Sequence, residues 1–275
     1  MEEPEVKDLN PESLRDLMSA RNEREYLLID VRQPGEYQAG HIPGAFFLPL
    51  MEIETRLFEL PEDRELIFYC RSGGRSLAAA SLAAEAEVTE KEVYNLAGGI
   101  LAWDGKMLAD YPKVQVFAKD AGFEEMLHTA MELEKGAWRF YRAALKKAAG
   151  TALESTLAKL AEAETAHARA VYQHWAPTQD APQPFEPLFE GLSGGILEGG
   201  ASLEDVVGRI DELGGDACMN LIELALHIEY SAYDLYRTVA ERTAETREKS
   251  AFLSIAQAEK GHMRMLTRAV PGCES

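Results

Sequence analysis

Six side chains able to ligate a metal recur in this chain in two ungapped copies: Glu134, Glu164 and His167, then Glu229, Glu259 and His262. In each copy a tyrosine follows the leading Glu by seven residues (Tyr141, Tyr236), the second Glu lies 30 residues after the first, and the two copies are offset by 95. Seven residues are close to two helical turns, so each leading Glu shares a helix face with its tyrosine, about 10 Å away along the axis. An E-x-x-H pair at i, i+3 sets a carboxylate and an imidazole side by side. Acidic helices produce single E-x-x-H matches as solvated faces, but a duplicated register with the same Glu, Tyr and gap is not expected from them.

Stepping the pattern onto helices predicts a four-helix bundle. With the marked faces inward, four carboxylates and two imidazoles meet in one layer, the ligand arrangement of di-iron and di-manganese carboxylate bundles. Four ionised carboxylates in a low-dielectric interior lose hydration at several kcal/mol per ion, and two divalent cations cancel that charge. Oxygen ligands with some imidazole suit iron or manganese, with open positions for oxygen, peroxide or water.

A second chemistry is written near the N-terminus. The apolar run L27-L-I-D-V-R32 reads as a buried strand, followed by turn, short helix and turn through G40-H-I-P-G-A45. Another strand, E65-L-I-F-Y69, runs into C70-R-S-G-G-R-S76 and then an alanine-rich helix over Ser76 to Glu85. A cysteine there lies beside unpaired backbone N–H groups and the positive end of a helix dipole, which lowers its pKa and makes its sulfur nucleophilic. Gly73 and Gly74 permit the positive φ that an anion cradle needs. Arg71 and Arg75 add guanidinium charge for an anionic substrate, with Ser72 and Ser76 completing the loop. Asp30 and Arg32 are expected to brace the neighbouring loops by an ion pair, and His41 to fix a turn at the pocket rim; all three are kept as candidate substrate-binding residues.

Both regions resemble known families. Residues 8 to 108, through D30-V-R32, G40-H-I-P-G-A45, C70-R-S-G-G-R-S76 and G98-G-I-L-A-W103, resemble a single rhodanese domain, an α/β sulfurtransferase fold with a parallel sheet flanked by helices. The resemblance implies that Cys70 takes a sulfane sulfur from thiosulfate or a persulfide and passes it to a thiol acceptor. A phosphatase or arsenate reductase uses a related cradle. Tyrosine phosphatases want His before the cysteine and Arg six residues after it, places held here by Tyr69 and Ser76.

Residues 123 to 270 resemble the ferritin-like domain of the rubrerythrin family through the duplicated Glu, Tyr and E-x-x-H. That implies a bridged non-haem centre of two iron ions, with manganese as the alternative, which reduces peroxide or oxygen or oxidises ferrous iron. By position Glu164 and Glu259 would bridge, Glu134 and Glu229 would be terminal, and His167 and His262 would supply nitrogen. Tyr141 and Tyr236 would hydrogen-bond the ligands. The family's extra carboxylate one turn from the third-helix Glu is missing: Leu226 and Ala232 flank Glu229 at three residues. A Cys-x-x-Cys rubredoxin module is also missing, so electrons would come from an external donor such as a rubredoxin-like protein or from the first domain. The resemblance further implies a homodimer.

The elements that must position these groups divide the chain into a sulfurtransferase domain over 1–108, a linker over 109–122, a helical domain over 123–270 and a tail over 271–275. Helices are expected at 121–148, 151–175, 216–242 and 246–269. A Pro- and Gly-rich crossover over 176–202 and a short amphipathic helix from Ser202 to Leu213 join the two pairs. Lys plus Arg of 28 against Asp plus Glu of 47 gives a net charge of −19, which disfavours nucleic acid and anionic membranes as partners. No 18-residue apolar stretch occurs, and a cytoplasmic protein is expected. Cys70, Cys218 and Cys273 make no disulfide framework; Cys218 is expected to pack, and Cys273 to lie in a mobile tail where it could resolve a persulfide. The expected protein is a bifunctional sulfur and redox enzyme in which the Cys70 persulfide supplies electrons to the metal site. Two rivals stand beside it: two independent enzymes merely tethered, and a non-catalytic persulfide or iron sensor whose bundle mediates assembly.

Overall fold

Strand β1 is Val6–Leu9, β2 Tyr26–Asp30, β3 Phe46–Phe47, β4 Glu65–Tyr69 and β5 Val93–Leu96. They form one sheet in the order β1-β5-β4-β2-β3, parallel throughout. A parallel sheet is covered on both faces, so its central strands read as continuous apolar runs. In β2 all five residues are buried, with alternate side chains going to opposite layers: Leu27 and Ile29 join Leu66 and Phe68, while Tyr26 and Leu28 join Ile67 and Tyr69. The helices of this region are α1 Pro11–Ala20, α2 Pro34–Ala39, α3 Ile53–Arg56, α4 Gly74–Glu85 and α5 Gly99–Ala102. The computed structural model describes residues 6–212, 214, 216–243 and 245–273. Leu213, where the amphipathic helix was expected to end, and the outermost tail and N-terminal residues lie outside them.

The chain forms two compact units, residues 1–111 with 236–242 and residues 112–235 with 243–275. The C-terminal region is helical: α6 Phe123–Lys147, α7 Glu154–Trp175, α8 Phe185–Gly191, α9 Leu203–Glu212, α10 Ala217–Arg242 and α11 Thr246–Ala269. The crossover therefore contains α8, a helix that its Pro-rich composition hides. Helix α6 opens with the Glu125 carboxylate accepting the Gly122 N–H at 3.2 Å and closes with Lys146 and Lys147, both favourable to the helix dipole. One apolar core takes Phe140 and Tyr141 from α6, Leu157 and Leu160 from α7, Val206 and Ile210 from α9, Leu221 and Ala225 from α10, and Leu266 from α11.

Two expectations are corrected. Cys218 and Cys273 are not separate thiols: they form a disulfide with Cα atoms 5.5 Å apart, because the second helix of this pair returns the chain to the start of the first. Gly74 is not a left-handed residue. It is the first residue of α4, and the positive φ of +100° falls on Gly73 alone in that pair. Among the described residues no helix is long and apolar enough to cross a membrane.

Candidate functional site

Cys70 follows the last residue of β4 and its side chain is buried. The loop turns back on it because Gly73 adopts a conformation that L side chains rarely take, and a Cβ there would lie 3.3 Å from the Gly98 nitrogen. A Cβ on Gly99 (φ +58°) would lie 2.5 Å from the Cys70 carbonyl oxygen, so glycine lets α5 close against the loop. The Gly73 N–H donates to Cys70 Sγ at 3.1 Å, and the Ser76 hydroxyl is 3.4 Å from it. Burial opposes ionisation of the thiol. The Ser76 hydroxyl and the amides of Ser76, Ser72 and Gly73 outweigh burial and hold its pKa below the ordinary value.

Ser76 is itself held. Its hydroxyl lies 2.7 Å from Asn95 Oδ1 and 3.0 Å from the Gly73 carbonyl, and Asn95 Nδ2 donates to Asp8 at 2.9 Å. Asn95 on β5 and Asp8 on β1 were not anticipated; helix or loop motifs give no sign of a partner two strands away. Arg75 forms a two-pronged pair with Glu36, both contacts 2.7 Å, and this hydrogen bonding holds the Glu36 carboxyl down to about 2. Arg71 and Ser72 are exposed beside the sulfur.

Asp30 and Arg32 meet each other. Arg32 donates to Asp30 at 2.7 to 3.0 Å and to the Gly40 carbonyl at 2.6 Å, so its Nε and Nη2 brace the loop after β2. His41 is fully buried, stacked on Tyr37 at 4.0 Å, with its main chain paired to Leu108. It fixes a turn from inside the fold and not from the pocket rim.

Residues 10–106 match the rhodanese-like domain family. A sulfurtransferase of Allochromatium vinosum is 39% identical over 98 residues, covering 36% of this chain and 88% of that one. A thiosulfate sulfurtransferase of Pseudoalteromonas translucida is 33% identical, over 34% of this chain and 86% of its own. The chain belongs to the rhodanese-like family. Its Cys70 loop thus sits at the carboxyl ends of the parallel strands, where open α/β sheets bind ligands. A transcriptional regulator of Mycobacterium tuberculosis is 42% identical over 88 residues, 32% of this chain and 38% of that one.

Beyond the rhodanese domain, the six repeated residues converge. Glu134 on α6, Glu164 and His167 on α7, Glu229 on α10, and Glu259 and His262 on α11 supply three groups whose ligand atoms lie within 4.8 Å of one another. His262 Nδ1 is 2.9 Å from Glu229, 3.2 Å from Glu164 and 3.2 Å from Glu259. His167 Nδ1 is 3.6 Å from Glu134, 3.7 Å from Glu164 and 3.8 Å from Glu259. Glu164 and Glu259 each offer one oxygen to each imidazole. Glu134 faces His167, and Glu229 faces His262. The two rings stack at 4.5 Å. The Tyr141 hydroxyl donates to Glu229; Tyr236 is fully buried.

Protons here occupy the places of cations. Burial opposes the charge on both imidazoles, but contact with the carboxylates raises His167 to about 10 and His262 well above its ordinary value. Burial raises Glu134 to about 7 and lifts Glu259 well above its ordinary value. Burial also opposes ionisation of Glu164, yet His262 and His167 bring it down to about 2. Buried His262 Nε2 and His167 Nδ1 have no hydrogen-bond partner among the described residues. Four carboxylates converging on two imidazoles, with those buried ring nitrogens left without a partner, fit a pair of divalent ions.

Proposed function

We propose that this protein joins two chemistries: sulfane-sulfur transfer at Cys70 and redox chemistry at a dinuclear iron centre in a ferritin-like four-helix bundle over 123–270. For the first, family membership and the depressed thiol pKa are the support. The Cys70 thiolate attacks the outer sulfur of thiosulfate; the S–S bond breaks, sulfite departs with its electron pair, and a cysteine persulfide forms. An acceptor thiolate then attacks the terminal sulfur and restores Cys70. The amides of Ser72, Gly73 and Ser76 hold the negative sulfur, Ser76 is oriented by Asn95, and Arg71 and Arg75 draw in the anionic donor.

For the second, one observation carries the proposal: Glu164 and Glu259 each reach both imidazoles, as bridging carboxylates must, while Glu134 and Glu229 each serve one side. Bound iron would supply the electrons for reducing peroxide or oxygen. Tyr141 fixes Glu229 by its hydroxyl, burial keeps water from the carboxylates, and the histidines and Glu134 hold protons that metal displaces. Manganese fits the same donors.

The test pairs two assays on the full chain. Thiosulfate:cyanide turnover should vanish in Cys70→Ala, and metal analysis after anaerobic iron loading should find two ions per chain, lost in Glu259→Ala. Turnover that persists without Cys70, or a wild-type chain that holds no iron, refutes the corresponding half.

A further inference from the structure

Glu198 belongs to neither copy of the repeat, yet it is 2% exposed and sits in the crossover between α8 and α9. The crossover folds there as a tight hairpin: the Leu197 N–H donates to the Ala201 carbonyl at 3.0 Å, the Gly200 N–H to the Leu197 carbonyl at 2.8 Å, and Ile196 bridges Ser202. Leu197 enters the core of the helical region, and Glu198 follows it inward.

The segment leading into this hairpin is clamped to α6 at the level of the candidate metal centre. Glu132 accepts the N–H groups of Ser193 at 3.2 Å and Gly194 at 2.7 Å, and Arg139 donates to the Ser193 carbonyl at 2.5 Å. Between those anchors Gly136 leaves room for the Ile196 carbonyl, with which any Cβ would collide. Gly194 (φ +53°) in turn comes so close to Lys135 that a Cβ would lie 2.8 Å from its backbone carbon. Gly136 is two residues from Glu134, and Ile196 is two residues from Glu198. The close approach of backbone to helix seats the Glu198 carboxylate in the interior beside α6, where Glu134 is the charged group that bears on it most strongly.

A buried structural acid needs a donor or a cation. Glu198 Oε2 has no hydrogen-bond partner among the described residues, and the charges that bear on it most strongly are the carboxylates of Glu134, Glu259 and Glu164. An acid facing three others in a dry interior either keeps its proton or takes positive charge placed among them, and a metal ion supplies that charge.

Building on the dinuclear centre proposed above, we propose that Glu198 is its fifth carboxylate and seventh protein ligand, delivered by the crossover on the Glu134 side. On α10 the residues three before and three after Glu229 are Leu226 and Ala232, so no acid there competes for that place.

The experiment titrates Mn(II) and Co(II) into the full metal-free chain by calorimetry and by visible absorbance. The wild type should bind two ions per chain. Glu198→Gln should keep the site nearer Glu229 but weaken the other ion about tenfold or more, with a changed Co(II) absorption envelope. Gly136→Ala, which pushes the hairpin off α6, should give the same loss. Without metal, Glu198→Gln should melt at or above the wild-type temperature, since it removes a repelled buried acid, and should gain less on adding Mn(II). Two ions bound by Glu198→Gln with unchanged affinity and an unchanged Co(II) spectrum overturn the role of Glu198 and leave the dinuclear centre standing. A wild-type chain that binds neither metal overturns both.

Discussion

Cys70 is governed by a loop of consecutive residues whose donors are mostly backbone amides, whereas the helical cluster is assembled from side chains on four helices between Glu134 and His262. The loop is pre-organised for an anion and has excess donors. The cluster is the reverse, an excess of acceptors held together by protonated imidazoles. The contrast shows how differently buried charge can be prepared: fixed amide dipoles stabilise a thiolate with no counter-ion, while converging carboxylates call for cations.

The sharpest way to break that contrast is to remove each centre and read the other. Cys70→Ala should reduce thiosulfate:cyanide turnover to background while leaving Mn(II) uptake, followed by calorimetry, unchanged. Glu164→Ala should abolish binding of two ions, because one residue serves both imidazoles, yet keep sulfur transfer within about twofold; steady-state rates check it. A large cross-effect in either direction would show that the sites are not independent.

A next, smaller effect concerns protons. Metal must expel those held by His167, His262, Glu134 and Glu259, so Mn(II) binding at pH 7 should release protons, seen as a calorimetric enthalpy that depends on the buffer's ionisation heat, and affinity should rise with pH. In the metal-free chain His167 stabilises the fold fully below its ordinary value of 6.5, and this is lost as pH rises to about 10. Glu134 acts in the same sense between 4.5 and about 7. Glu164 acts in the opposite sense, contributing above 4.5 and losing its contribution as pH falls to about 2. Thermal melts should therefore fall with rising alkalinity, and less so when Mn(II) is present.

The smallest effect sharpens the loop side. Ser76→Ala removes a hydroxyl donor to the thiolate while the amides remain, so turnover at neutral pH should drop by about tenfold, the worth of one hydrogen bond to a charged group. The acid limb of its pH–rate profile should move to higher pH.

Much of this was legible in the chain because each site carries a local rule. The apolar runs at 27–31 and 65–69 announce buried parallel strands, and Cys70 with its glycines announces the cradle. The doubled Glu and E-x-x-H register predicts long helices whose bounds lie within three residues of those of α6, α7, α10 and α11. What escaped has no period. Glu198 lies in a hairpin whose depth depends on Gly136, sixty-two residues earlier. Asn95 reaches Ser76 from β5, the strand beside β4, and Asp8 holds Asn95 because β1 is the next strand. Glu36 finds Arg75 across 39 residues. Such partners follow from topology, which spacing along one element does not report.

The bond between Cys218 and Cys273 has a consequence for the integrity of the chain. It spans a sequence separation of 55 that contains Glu229 on one arm and Glu259 with His262 on the other. A protease that cuts the chain anywhere between the two cysteines would produce fragments that still migrate as one species on a gel until reductant is added. The ligands on both arms would stay tethered after the backbone between them is cut.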